Sequence, residues 1–416
     1  MSSSSATVLD PRVLGATLQH IQAIGDDEEA FYTVDLHAIA AKYTLITDLL
    51  PRVQPFYTMK CNPDLLTGLG CGVDCASKPE IEFALAHGVA PDQIIYANTI
   101  KQKSHLQFAR AHNVPLMTFD NVDELVKVSK VYPEAKLVLR IQVDDSKSRH
   151  QLGAKFGAPL SEIPEILETA KKLQLNVVGV CFHVGVGVLC ASSFVDAITR
   201  SKSVFDLAQQ SGFNFELLNL GGGFAGDDLG PVTVQDAAKA VNDALTEHFP
   251  ESSGVRIISE PGRYFVSSCA TLNLNVVGRK TDPTLTARVV SENETHQHVP
   301  RYMYFVNDGA HGSFSASHLF KLYDPIPIVI NGEPNRLLLS DESDESAVVV
   351  PSSVWGPTCD GKDFITKETL LPMLEIGDWI TFPHMGAYGF ATGSTFNGFQ
   401  LPGKIYLEVE EDTNTP

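Results

Sequence analysis

The chain has 416 residues, and its 31 Lys and Arg stand against 50 Asp and Glu, a formal net charge of −19 with histidine neutral. That balance argues against nucleic acid, which needs clustered cations, and against anionic membrane surfaces. A phosphate held locally by a few amides and one arginine stays compatible with it. At 44% hydrophobic residues the chain can bury full cores, and its length suits two or three domains, or a barrel with a companion.

No apolar run reaches the ~20 residues of a membrane span. The opening residues, Met1–Arg12, have neither a basic nor an apolar signal region. Seven cysteines, an odd number, do not read as a disulfide framework. Cys71 and Cys75 lack a second Cys or His pair at zinc spacing, so no metal is expected. The setting expected is reducing and cytoplasmic.

Short β-branched runs alternate with helical patterns from about residue 36 to 272. The predicted strands are Pro55–Met59, Gly72–Ala76, Gln93–Ala97, Pro115–Phe119, Lys136–Val143, Asn176–Val184, Phe215–Leu220 and Val255–Ser259. Helical patterns at Lys78–Ala86, Val122–Val131, Leu160–Lys172, Phe194–Gln210 and Thr233–His248 separate most of them. Eight such repeats predict an α/β fold, a parallel (β/α)8 barrel with right-handed crossovers. Beyond residue 272 the runs Ala270–Val277, Tyr302–Val306, Ile326–Ile330, Trp379–Phe382 and Lys404–Glu408 lie between Gly- and Pro-rich turns. They predict a second, antiparallel β domain. The expected division is an N-terminal segment, 1–35, a barrel, 36–272, and a C-terminal β domain, 273–416.

Barrel active sites lie at the C-terminal strand ends. Five of the predicted ends carry reactive groups: Lys60, Asp74, His183, the turn Gly221-Gly222-Gly223, and Glu260 followed by Gly262-Arg263. Lys60 closes an apolar run, where an amine has reason to be neutral and nucleophilic; taken alone, it reads better as a lysine snorkelling from a strand end. Three consecutive glycine amides can nest an anion, though a tight loop is the commoner use, and Arg263 would add a charged fork. Glu260 suits a protonated pyridine nitrogen, and the His183 imidazole suits the face of the same ring. Together these groups describe pyridoxal 5'-phosphate bound through a lysine.

The motifs FYTMKCN (Phe56–Asn62), DCASK (Asp74–Lys78), CFHVGVG (Cys181–Gly187), LGGGF (Leu220–Phe224), EPGRY (Glu260–Tyr264), WGPTCDG (Trp355–Gly361) and MGAY with STFNGFQ (Met385–Tyr388, Ser394–Gln400) resemble the eukaryotic ornithine decarboxylases. These are alanine racemase-like, fold-type III enzymes, and the resemblance spans roughly residues 30 to 410. It implies a homodimer whose β domain completes the partner's active site. Lys60 would be the lysine bonded to the cofactor, Glu260 would hold the pyridine nitrogen protonated, His183 would stack on the ring, and Asp74 would lie beside Lys60. Gly221, Gly222, Gly223, Arg263 and Tyr388 would hold the phosphate, with Gly262 in the same turn. Cys359, from the other subunit, would return a proton to the α-carbon after carbon dioxide leaves; by itself a free cysteine is usually a buried thiol. Asp360 would face the substrate's distal amine and Phe396 would line its pocket.

The departures from the family pattern are Val186 for a serine, Gln151 for an arginine and His311 for a tyrosine. The family's distal-amine aspartate is Asp324 if Ser315–Lys321 contains a four-residue insertion, and Phe320 if it does not. With Phe320 the site loses a carboxylate, which suits a bulkier or N-substituted substrate. The family also includes specialised members of fungal alkaloid pathways, such as loline biosynthesis, and a divergent chain of that kind fits these changes. The expected activity is decarboxylation of a basic L-amino acid. The competing expectation is an inactive binding protein resembling the antizyme inhibitors, with antizyme as its partner.

Overall fold

In a computed structural model, residues 9–63, 70–226, 230–289, 297–320, 325–330 and 349–407 are described. The chain forms two compact units, Ala40–Val266 and the combination of Met1–Ile39 with Ser267–Pro416. The first is the (β/α)8 barrel. Its eight strands are Val53–Thr58, Gly72–Cys75, Ile94–Tyr96, Leu116–Phe119, Lys136–Arg140, Asn176–Cys181, Leu217–Asn219 and Arg256–Ser259. Every neighbouring pair is parallel, and Ile258 beside Gln54 together with Leu218 beside Val180 closes the ring.

The strands are held by apolar side chains packed together. Phe56, Ile95, Leu116, Val138, Val178, Leu217 and Ile258 make one apolar cluster, all under a tenth exposed. Helices are held by local capping: Ser77 accepts from the Glu80 amide, Asn121 from that of Glu124, and Thr233 and Asp236 form a reciprocal capping box. Two predicted strands end three residues earlier than expected. Lys136–Val143 stops at Arg140, after which Ile141 meets Ala158 only as an isolated bridge. Asn176–Val184 stops at Cys181, because the chain leaves the ring to pair Val186–Val188 antiparallel with Ser148–His150.

The second unit is built on an eight-stranded sheet. Its centre is the long strand Ala270–Val289, antiparallel to Gln297–Val306, to Trp379–Phe382 and to the N-terminal strand Phe31–Asp35. The expected antiparallel pairing holds across most of it. Two ladders are parallel: Gln297–Val306 with Val349–Trp355, and Phe31–Asp35 with Gly403–Leu407. Both join segments far apart in sequence, as a parallel pairing requires. Phe31–Asp35 thus lies between strands from the middle and the end of the chain. The helix Pro11–Ile24 packs Leu14 and Leu18, together with the preceding Leu9, against Ile328 of the same unit.

Candidate active site

The barrel's C-terminal strand ends carry the expected groups. Lys60 follows Val53–Thr58 in a single 3-10 turn, Met59–Cys61, whose flanking side chains are buried. Its Nζ lies 3.0 Å from Oδ2 of Asp74, on the neighbouring strand. An apolar lodging for the amine is not what the structure shows: the Lys60 side chain is 46% exposed and paired with a carboxylate that is 2% exposed. The other Asp74 oxygen, Oδ1, is buried with no hydrogen-bond partner among the described residues. A buried acceptor left open in this way marks a place where a ligand group fits.

The turn after Arg256–Ser259 is locked onto the Lys60 turn. Thr58 donates from Oγ1 to the Glu260 carbonyl at 2.9 Å and from its amide to the Pro261 carbonyl at 3.3 Å. A Cβ on Gly262 would stand 2.4 Å from Cys61 Sγ, so only glycine permits this approach. Glu260 itself accepts from Asn219 Nδ2 at 2.7 Å. Burial, and next the Asp74 charge, push its carboxyl up to about 7, with the Asn219 bond working in the opposite direction.

The glycine turn is less open than the sequence suggests. Gly221, at φ +61°, donates its amide inward to Asn219 Oδ1 at 2.9 Å, and a Cβ there would fall 2.0 Å from the Phe182 carbonyl. A Cβ on Gly222 would stand 3.0 Å from both His183 Nε2 and the Glu260 carbonyl, so this turn shapes the floor beside the imidazole. Asn219 positions both Glu260 and Gly221, and sequence reading missed it; the signal was a polar residue ending the apolar run Leu217-Leu218-Asn219.

His183 is half-buried and accepts at Nδ1 from the Gly185 amide at 3.0 Å, which assigns the proton of the neutral ring to Nε2. Burial first, then the positive charges of Arg140, Lys60 and Arg263, lower it to about 3. Arg140, at the end of its strand, is a second residue the sequence did not single out. The unfolded chain binds a proton at this histidine between pH 6.5 and about 3 that the native state refuses, so native stability falls as pH falls through that window. Glu260 acts with the opposite sign between 4.5 and about 7. His183→Gln is therefore expected to flatten the acid loss of stability relative to wild type, measured as urea midpoints at pH 4 and pH 7; parallel losses in both proteins would refute the assignment.

The other expected residues lie in the sheet unit. The loop Trp355–Asp363 is pinned by Asp363, which accepts from the amides of Ala310 at 2.7 Å and Thr358 at 2.9 Å and from the Thr358 hydroxyl at 2.6 Å. Cys359 is exposed rather than a buried thiol, with Sγ 3.3 Å from Asn397 Oδ1. Asp360 accepts at Oδ2 from His311 Nε2 at 2.8 Å and at Oδ1 from the Lys362 amide at 2.9 Å. The His311 ring lies 4.6 Å from that of Phe396. Tyr388, half-buried at φ +62°, caps the short helix Gly389–Thr392. Asp324 lies outside the described residues, and Phe320 ends the helix Ser315–Phe320. Val186 belongs to the short antiparallel ladder with Ser148–His150 and offers no hydroxyl, while Gln151 is exposed. The structure thus assembles two groups of site residues, one in each unit.

The residues at the barrel mouth fit pyridoxal phosphate: an amine beside an unsatisfied buried carboxylate, a neutral imidazole, a carboxyl poised near neutrality and a glycine-shaped floor. They define a pyridoxal-dependent enzyme on a (β/α)8 barrel. The family model for the pyridoxal binding domain of pyridoxal-dependent decarboxylases matches residues 36–267. The ornithine decarboxylase of Rattus norvegicus is 43% identical over 387 residues, covering 92% of this chain and 81% of the relative. Antizyme inhibitor 2 of Xenopus laevis is also 43% identical, over 380 residues, covering 90% and 80%. Among solved structures, the arginine decarboxylase of Paramecium bursaria Chlorella virus superposes with a TM-score of 0.84 at 34% identity, over 95% of this chain and all of that one. The chain belongs to the pyridoxal-dependent decarboxylases of the eukaryotic ornithine decarboxylase type. It is a carboxy-lyase whose cofactor is pyridoxal 5'-phosphate.

Proposed function

We propose that this protein decarboxylates ornithine or a closely related diamino acid to the corresponding amine, acting as a cytoplasmic homodimer. The observation that carries the chemistry is the Lys60–Asp74 pair at 3.0 Å, set beside Glu260 and His183 at one barrel face. When bound, pyridoxal phosphate supplies the electron sink that makes loss of the α-carboxylate feasible. The chain's own residues do the rest. Lys60 would hold the cofactor through its side-chain amine, and Asp74 would orient Nζ. Glu260, held by Asn219, would keep a proton on the ring nitrogen, and neutral His183 would cover the ring without adding charge. The Gly221 amide donates to Asn219, so Gly222, Gly223 and Arg263 would hold the phosphate within the barrel unit. Val186 removes one hydroxyl contact from that set.

Cys359 delivers the proton to the α-carbon and Asp360 receives the distal cation, both from the partner subunit. Their support is the exposure of Cys359 and Phe396, which leaves them free for such a contact. The named activities of the rat and viral relatives point to basic amino-acid substrates. A second reading, an antizyme-inhibitor-like binding protein, is favoured by the Xenopus relative and by Val186. The retained Lys60–Asp74 and Glu260–Asn219 pairs weigh against it.

The test is carbon dioxide release by the cofactor-loaded protein from ornithine, lysine, arginine, diaminopimelate and N-substituted diamino acids. Turnover of ornithine above the rest is expected. Release from none of them, with no visible cofactor absorbance and capture of antizyme, would reverse the reading.

A further inference from the structure

The family's tyrosine is replaced here by His311, and the replacement sits on the carboxylate that reads the substrate's far end. Asp360 has both oxygens engaged within its own unit, Oδ1 by the Lys362 amide and Oδ2 by His311 Nε2. His311 is fixed rather than swinging. Its carbonyl accepts from the Ser394 amide at 2.9 Å and from the Ser394 hydroxyl at 3.0 Å, and its ring packs on Phe396. The preceding Ala310 amide is anchored by Asp363. The charged or titratable groups around the pair, among the described residues, are Lys362 and Cys359 on the loop, and Asp308 and Asp363 behind the Asp308–His311 segment.

Imidazole is the side chain that changes charge between pH 5 and 8. Protonated, it makes a neutral pair with Asp360 and takes the place a substrate cation would need. Neutral, it donates one hydrogen bond and leaves the carboxylate its full charge. The Lys362 amide, and then His311, hold Asp360 below the usual carboxylate range, so the acid itself stays ionised across that interval.

We propose that His311 is a specificity-determining residue that competes, by its own protonation, with the distal cation of the substrate for Asp360. The inference rests on the reading that Asp360 receives that cation. Binding of a distal ammonium then expels a proton from His311. KM for a substrate with a distal cation falls as pH rises from 6 to 8, while kcat does not follow, because the pair touches the far end and not the α-carbon. Both side chains are about one-third exposed, so the expected change is about fivefold, the upper end for a solvent-screened pair.

The experiment titrates 1,4-diaminobutane into the cofactor-loaded protein at pH 6 in two buffers of different ionisation enthalpy. KM and kcat for ornithine are followed from pH 6 to 8 alongside. Wild type is expected to release a proton on binding and to show the KM slope. His311→Gln should lose both, and Cys359→Ser should keep the proton release. Asp308 provides the competing explanation, since burial pushes it up to about 6; its effect would persist in His311→Gln. Equal proton release and equal KM slopes in wild type and His311→Gln overturn the inference. Absent carbon dioxide release with absent visible absorbance overturns the proposed function instead, so the two failures are distinct.

Discussion

Lys60→Ala is expected to lower decarboxylation by ~10³-fold or more, the scale on which single catalytic groups are lost, and to remove the visible absorbance of the protein-bound cofactor. The geometry says why no neighbour substitutes. Lys60 is the amine placed 3.0 Å from Asp74, and the turn carrying it is clamped by Thr58 and Gly262 against the Glu260 turn. The variant also leaves the buried Asp74 carboxylate without its lysine. Because that lysine is half exposed, water can replace it, and the stability loss should stay below the ~1–3 kcal/mol of an unsatisfied buried acceptor. Borohydride treatment of the wild type followed by peptide mass analysis should find the cofactor on Lys60. Unchanged absorbance and turnover in Lys60→Ala would place the chemistry elsewhere.

The second large effect lies away from the cofactor. Lys101 and Glu124 are almost fully buried and 3.0 Å apart, and Lys101 also donates to the carbonyls of Thr118 at 2.6 Å and Asn98 at 3.1 Å. Glu124 holds Lys127 as well. Burial lowers Lys101 to about 8 even with Glu124 opposing that shift. Glu124→Ala strands an ammonium in the barrel wall and should cost ~3–5 kcal/mol at pH 7 in urea unfolding, as breaking a buried pair does. The sign with pH follows from the lowered value. The unfolded chain holds this proton up to 10.5 and the native state only to about 8 in wild type, lower still without Glu124. The deficit of Glu124→Ala should therefore shrink between pH 7 and pH 10, where the buried amine is neutral. A loss below ~1 kcal/mol at both pH values would show that water reaches the pair.

The barrel was legible because parallel strands buried on both faces read as short apolar runs, and their ends are where polar groups stand out. That is how Lys60, Asp74, His183 and Glu260 could be picked from sequence. What stayed hidden depended on register. Nothing adjacent in sequence ties Lys101 to Glu124, or His311 to Asp360, 49 residues away. The helix Lys103–Ala111 was missed because it buries little beyond Leu106 and Ala109 and begins without a side-chain cap. The exposure of Lys60 depends on register too: the apolar run predicts its strand, and the pairing with the next strand sets Asp74 against the amine. Gly221 read as an anion donor because sequence does not show that Asn219 claims its amide.

The strand Phe31–Asp35 bears on how the molecule is made. Its neighbours are Ala270–Val289 on one side and Gly403–Leu407 on the other, with Phe31 opposite both Asn273 and Gly403. During synthesis the barrel emerges as one continuous stretch and can close on itself. The early strand must wait for the last one, across a loop of roughly the whole chain, and long-range pairing of this kind is slow. Until the ribosome has delivered Gly403–Leu407, Phe31–Asp35 has an open edge, which is the interval in which this chain is most exposed to mispairing.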